Sequence, residues 1–202
     1  DTKYPPQDGV KPLKEAVRRK FQRDNNLDYA LDEVMVSNGS KQIMYDALMA
    51  SVNTGDEVVI PTPGWISYAD QATVAGARPV FVSCPENNQF KLRAADLAAV
   101  ITPRTKWVVL NFPNNPTGAV CSRAEMRAIA DVLLGHPHVM VMADDVYEHL
   151  IYDDFGFCSI AEVEPKLKER TLTVNGASKA YAMTGWRVGF AGGPRPLIAA
   201  MT

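Results

Sequence analysis

A chain of 202 residues, 47% of them apolar, is long enough to bury one sizeable core, and one domain is the simplest count. Its 21 basic and 23 acidic side chains nearly cancel, which excludes a global field that would recruit nucleic acid or an anionic membrane surface and favours a small-molecule partner. Cys84, Cys121 and Cys158 are odd in number and show neither CxxC nor Cys/His ligand spacing, so buried reduced thiols are expected rather than a disulfide framework or a metal site.

The opening residues Asp1-Thr2-Lys3-Tyr4-Pro5-Pro6 carry no charged and apolar leader pattern, and no apolar run reaches membrane-spanning length. A cytoplasmic location is the expectation. Pro12 suits a first helical position, and Leu13, Ala16, Val17 and Phe21 recur at helical spacing, predicting a helix over 12–24. A short apolar run at 34–36 leads through Ser37-Asn38-Gly39-Ser40 into a helix with Ile43, Met44, Ala47, Leu48 and Val52 on its buried stripe, closed by Gly55. The alternation repeats as strand 57–60, helix 67–75 stopped by Gly76, strand 79–83, a helical stretch over 94–101, strand 107–111 and helix 123–134. Ser122 and Glu125 form a capping box for the last of these. Strand 139–142, a short helix near 145–151, a solvated charged stretch at 166–170, strand 171–174, a helical turn near 178–183 and strand 187–191 follow. Residues 196–202 read as the first turns of a helix without a stop signal, which fits a chain that continues beyond them.

Strands alternating with helices imply crossover connections and a three-layer α/β/α domain around a mainly parallel, mixed sheet. In such sheets ligands sit beyond the carboxyl ends of the strands. Five polar clusters fall there. Asn175-Gly176-Ala177-Ser178-Lys179 follows strand 171–174, with Arg187 eight residues beyond the lysine. An isolated lysine is ordinarily a solvated surface residue; one flanked by small residues with a fixed cation nearby suits an imine-forming amine in a tight site, with an anchor for a phosphate. Asn114-Asn115-Pro116-Thr117-Gly118 follows strand 107–111, where stacked turns present an amide over the strand end. Asp144 closes the run Val139–Met142, with Tyr147 three residues on; helix capping is the competing role for such an acid. Gly39-Ser40-Lys41 opens a helix whose free N–H groups suit a phosphate, although neither GxxxxGK[ST] nor GxGxxG is present. Trp65, after strand 57–60, is either core or a platform for a planar ligand.

Asn115-Pro116-Thr117-Gly118, Asp144-x-x-Tyr147 and Ser178-Lys179 with Arg187, in this order and spacing, resemble the fold-type I pyridoxal-phosphate enzymes. The resemblance is closest to the class I/II aminotransferases of the bacterial aspartate aminotransferase branch, which Thr62-Pro63-Gly64-Trp65-Ile66-Ser67-Tyr68 also matches, and it covers essentially all 202 residues. It implies the following. The chain is the large domain of the aspartate aminotransferase-like fold, binding pyridoxal 5'-phosphate through a Schiff base on Lys179, which then acts as the proton shuttle. Asp144 keeps the pyridine nitrogen protonated, Tyr147 and Asn115 hydrogen-bond the ring oxygen, and Trp65 stacks on the ring. Trp65 and Asn115 also face the substrate. Arg187, the amides of Gly39, Ser40 and Lys41, and the Ser178 hydroxyl hold the phosphate. Tyr4, five residues before Gly9, matches a tyrosine that reaches the phosphate of the neighbouring subunit, implying a homodimer with shared sites.

Two departures qualify the resemblance. Gly176 stands where several relatives carry a serine, so one phosphate hydrogen bond is either absent or supplied by Ser178. The family's small domain, with the arginine that clamps the substrate carboxylate, has no counterpart in these residues. The expected reaction is transamination between an amino acid, aspartate or glutamate as donor, and a 2-oxo acid. The alternatives are a C–S lyase on the same scaffold and a non-catalytic domain of a transcriptional regulator. His136, His138 and His149 lack a partnered nucleophile motif and are read as structural.

Overall fold

The computed structural model describes residues 2–202. In chain order its elements are α1 (Lys11–Asn25), β1 (Val34–Ser37), α2 (Ser40–Ser51), β2 (Glu57–Thr62), α3 (Ser67–Val74), β3 (Arg78–Ser83), α4 (Ala94–Val100) and β4 (Thr105–Leu110). There follow α5 (Arg123–Leu134), β5 (Met140–Asp144), α6 (Ile160–Val163), β6 (Thr171–Gly176), α7 (Ala177–Ala180), β7 (Gly189–Gly192) and α8 (Arg195–Met201). The strands form one seven-stranded sheet in the order β1-β7-β6-β5-β4-β2-β3. Neighbours from β6 through β5, β4 and β2 to β3 pair in parallel, whereas β7 runs antiparallel to both β1 and β6. The expectation of a three-layer, mainly parallel mixed sheet holds.

Side-chain alternation along the strands divides the core between the two faces. Val108 and Leu110 of β4, with Val141 and Ala143 of β5, pack against Leu97 of α4 and Ile129, Ala130 and Leu133 of α5. Trp107, Val109 and Met142 point the other way, onto Ile43, Met44, Ala47 and Leu48 of α2 and Leu197 and Ile198 of α8. A smaller cluster joins Val17 and Phe21 of α1 to Tyr29, Val34 and Phe190. Central strands covered on both faces read as unbroken apolar runs for this reason.

The caps follow the sequence. Ser122 and Glu125 form the capping box of α5, the Glu125 N–H reaching Ser122 Oγ at 3.3 Å and the Ser122 N–H reaching Glu125 Oε2 at 2.8 Å. Gly76 just past α3 takes the left-handed φ of 89° that a chain reversal there requires.

Three expectations are corrected. Residues 145–151 form turns and no helix: Asp145 and Tyr147 accept short-range bonds from the N–H groups of Glu148 and Leu150, and no further ladder develops. The last strand begins at Gly189 and not at 187, because Arg187 adopts a left-handed φ of 53° incompatible with an extended ladder. The stretch 166–170 is more than a solvated charged run. It coils as a 3-10 helix, Pro165–Arg170, that buries Leu167 fully, and Arg170 turns back to donate to the carbonyls of Leu133, His136 and Val139.

Candidate active site

The pairing register explains why distant segments meet. Ser37 at the end of β1 and Gly176 at the end of β6 both stand opposite Gly189, the first residue of β7. The turn after β1, the lysine segment after β6 and the residues before β7 therefore share one edge of the sheet with the ends of β2, β4 and β5. A cavity of about 240 Å³ opens there. Ser40 and Lys41 line it from α2, Trp65 and Tyr68 from beyond β2, Asn111 and Asn115 from beyond β4, Asp144 and Tyr147 from β5, Ser178 and Lys179 from α7, and Arg187 from the approach to β7.

Asp144 lies at the floor of the cavity. It shares its face of β5 with Met142 and is 3% exposed. The Tyr68 hydroxyl donates to Asp144 Oδ2 at 2.5 Å, whereas the buried Oδ1 has no hydrogen-bond partner among the described residues. Burial raises the carboxyl to about 6, against the opposing effect of the Tyr68 hydroxyl and the Val146 N–H. Helix capping, the competing role for this residue, does not arise, because no helix follows it. Asp145, next in the chain, is also buried, and burial raises its carboxyl to about 8, with the Glu148 charge adding to the effect. It does not line the cavity.

Above Asp144 stand the phenol and the amide. Burial raises the Tyr147 hydroxyl above its usual range, the Asp144 charge adds to this, and a hydrogen bond with the Asn115 side chain opposes it. The Lys179 ammonium lies 5.8 Å from the centre of the Tyr147 ring. Lys179 itself is exposed, so the tight site suggested by its small neighbours is not closed by these residues on that side. On the opposite wall Trp65 meets Tyr68 edge to face, with ring centres 5.3 Å apart, and the Lys41 ammonium lies 4.8 Å from the Trp65 ring.

The third wall is a notch between two glycines and an arginine. Gly39 has a φ of 93°, and a Cβ there would lie 2.3 Å from Arg187 Nη2. A Cβ on Gly189 would lie 2.3 Å from the Ser40 nitrogen. Backbone and guanidinium approach this closely only because neither position carries a side chain. Arg187 holds its left-handed backbone while its Nη1 donates to the Thr184 carbonyl at 2.8 Å, a conformation unusual for a residue other than glycine and of the kind that clusters at functional sites.

Tyr68 and Asn111 are among the residues of this cavity that carried no assigned role in the sequence. Tyr68 stands one helical turn from Trp65, a spacing that places both on one side, and Asn111 is the first polar residue after the apolar run of β4. Tyr4, by contrast, is fully exposed and does not line the cavity of its own chain. None of the three histidines lines it either: His149 sits 3.2 Å from Glu148 and His138 Nε2 lies 3.1 Å from the Thr102 carbonyl. The three cysteines are buried and free.

The donor set fits a phosphorylated aromatic cofactor. An orphaned carboxylate oxygen in a buried position calls for a cationic N–H, the glycine notch beside a guanidinium suits a phosphate, and Trp65 offers a flat apolar face. The fold is that of the α/β enzymes of fold type I, and the donor set of the cavity fits the pyridoxal phosphate on which they depend. Comparison with known proteins makes the placement specific. The family model for aminotransferase class I and II matches residues 1–202, and the chain belongs to that family, whose members depend on pyridoxal phosphate. It is 57% identical over 201 residues to an aspartate aminotransferase of Rhizobium meliloti, spanning 100% of this chain and 49% of that protein. To a probable aspartate/prephenate aminotransferase of Rickettsia bellii it is 52% identical over 201 residues, 100% of this chain and 50% of that one. The crystal structure of the Rhizobium meliloti aspartate aminotransferase superposes with a TM-score of 0.97 at 56% identity, over 99% of this chain and 50% of the other. That of an aromatic aminotransferase from Pyrococcus horikoshii gives a TM-score of 0.95 at 41% identity, over 99% and 53%. The chain thus spans about half the length of the relatives it matches. Among the described residues, no helix is long and apolar enough to cross a membrane.

Proposed function

We propose that these residues form the cofactor-binding large domain of a pyridoxal-phosphate-dependent aminotransferase that transfers an amino group from an amino acid to a 2-oxo acid. The observation that carries this reading is the convergence of Lys179, the orphaned Asp144 oxygen, the Asn115–Tyr147 pair and the Arg187 notch on one cavity. Bound there, pyridoxal phosphate supplies a sink for the electron pair left when an amino acid loses its α-proton. Lys179 Nζ would tether the cofactor and, as a free amine, would be the base that moves the proton from the amino acid's α-carbon to the cofactor carbon that keeps the amino group. Asp144 Oδ1 would accept from the ring N–H and keep that proton in place. Asn115 and Tyr147 would donate to the ring oxygen, Trp65 would cover the ring face, and Arg187, Ser178 and the N–H groups at Gly39–Lys41 would bind the phosphate. Tyr4, exposed on its own chain, reaches the site of a second copy in a homodimer.

The substrate side is less complete. Arg187 is the one arginine lining the cavity among the described residues, and the phosphate engages it. The clamp on the substrate α-carboxylate is accordingly assigned to residues outside this stretch. The Lys41 ammonium on the Trp65 wall supports an acidic donor such as aspartate or glutamate. The test is an absorbance spectrum with pyridoxal phosphate, compared with Lys179→Ala. A visible band that disappears in the variant is expected; a band retained unchanged refutes the lysine assignment. New glutamate from aspartate and 2-oxoglutarate marks transfer, while pyruvate and ammonia from a thioether amino acid mark lysis instead. The 202 residues alone are expected to bind cofactor better than they turn over substrate.

A further inference from the structure

Backbone pairing between β4 and β5 runs as far as Leu110 opposite Ala143. One residue further on, Asn111 takes over with its side chain. Its Nδ2 donates to the Asp144 carbonyl at 2.9 Å, and its Oδ1 accepts from the Asn115 N–H at 2.9 Å. The side chain is 4% exposed, so neither bond competes with bulk water, and it borders the same cavity. A single amide thus joins the backbones of the two residues assigned to the ring nitrogen and the ring oxygen of the cofactor, at a level where the two strands have stopped pairing. An asparagine amide suits this because it presents one donor and one acceptor; an aliphatic side chain of similar size offers neither, and a carboxylate offers only acceptors.

We infer that Asn111 is a positioning residue, which through these two bonds fixes the direction of the Asn115 amide and the Asp144 carboxylate toward the cofactor. The inference rests on the reading of the cavity as a pyridoxal-phosphate site. Loss of either bond lets the loop at 112–118 drift from the end of β5, and the Asn115 and Tyr147 donors lose alignment with the ring oxygen they stabilise. A bound cofactor reports this directly, because those donors set the pH at which its visible band changes. The titratable or charged groups facing it are Lys41 from α2, Tyr68 from α3, Asp144 and Tyr147 from the end of β5, Lys179 from α7 and Arg187 before β7, and none of these is altered by changing Asn111.

The experiment uses the protein reconstituted with pyridoxal phosphate, comparing wild type with Asn111→Leu and Asn111→Asp. Leucine removes both bonds. Aspartate keeps the shape and the acceptor for the Asn115 N–H but sets a carboxylate against the Asp144 carbonyl. The midpoint of the visible band's pH titration is expected to rise by about one pH unit in Asn111→Leu, which adds no charge, and further in Asn111→Asp, where a new carboxylate borders the cavity. A residue that only satisfies buried backbone groups would lower the unfolding temperature of the variants and leave that midpoint in place. An unchanged midpoint overturns the inference, as does a folded variant that takes up no cofactor or failure of both variants to fold. A wild-type protein without a visible band, or a band that Lys179→Ala retains, fails the cofactor assignment itself and not the role of Asn111.

Discussion

Asp144 makes the apoprotein less stable than it could be, and the size of the effect follows from its position. Its carboxyl is raised from an ordinary 3.8 to about 6 by burial. In the folded chain it therefore holds its proton through a range in which the unfolded chain has released it, so folding stability is greatest below about pH 4 and falls as pH rises toward 6. At about 1.4 kcal/mol per pH unit, ionising this group costs the folded apoprotein about 3 kcal/mol above pH 6. Asparagine removes that cost and can still accept from the Tyr68 hydroxyl through its oxygen. Its amide nitrogen then lacks a partner at the cavity floor, which returns about 1 kcal/mol. Asp144→Asn is expected to stabilise the cofactor-free protein by about 2 kcal/mol at pH 8, or about 4–8 °C in unfolding temperature for a domain of this size. The advantage vanishes between about pH 4 and 5 and becomes a deficit of about 1 kcal/mol at lower pH. Calorimetry of both proteins at pH 4, 6 and 8 without cofactor measures it. With saturating pyridoxal phosphate the order reverses, because only the aspartate gains a cationic partner. A difference that does not vary with pH, or a wild type more stable at pH 8 without cofactor, refutes the reasoning.

The other predictions address the notch and the base of the sheet. Gly39→Ala places a methyl group against the Arg187 guanidinium at a positive φ, and equilibrium titration should show cofactor affinity reduced by about tenfold or more. Gly189→Ala meets backbone at the same distance, so loss of fold stability, read by urea unfolding, is expected along with weaker binding. Glu57, fully buried at the start of β2, accepts from the Thr102 hydroxyl at 2.6 Å, from Arg104 at 3.0 Å and from Arg78. The Thr102 bond, with the two arginines, holds its carboxyl down at about 2, so its contribution is present above its ordinary 4.5 and is lost as pH falls toward 2. Glu57→Gln should lower stability by roughly 2–4 kcal/mol at pH 7, with the gap to wild type closing over that acidic range in urea titrations.

What the sequence disclosed and what it withheld divide along physical lines. Elements whose apolar residues repeat at a fixed period, such as Ile43, Met44, Ala47 and Leu48 on α2 or Val108 and Leu110 on β4, were legible because burial on one face imposes the period. The positions of Lys179, Asp144 and Asn115 just beyond strand runs were legible for a related reason: parallel strands end on one edge. Val146, Tyr147 and Leu150 fall at helical spacing, yet 145–151 form turns, because buried Asp145 and Glu148 interrupt that face and are held by tertiary partners. The fold of 165–170 was hidden because five of its six residues are polar or proline, and one buried leucine with one inward-turned arginine leaves no periodic trace. Asn111 and Tyr68 were not recognisable as partners of Asp144, since a hydrogen bond between residues 33 or 76 positions apart has no local signature.

The same contrast bears on how the site is built. Six backbone segments contribute to one cavity, and each is fixed by a sheet whose register admits no slip without turning an apolar face to water. What the sheet does not fix is the last residue or two beyond each strand, where ladder bonds cease. There side chains take over, Asn111 across the ends of β4 and β5 and Tyr68 onto Asp144 from α3. The Arg187 backbone, in turn, is strained into place beside Gly39. Substitutions within the strands should therefore act mainly on folding, whereas substitutions among these linking side chains should alter the properties of a bound cofactor at nearly constant fold. That separation is why the titration midpoint, rather than activity or unfolding temperature alone, is the decisive readout for the residues at the sheet's edge.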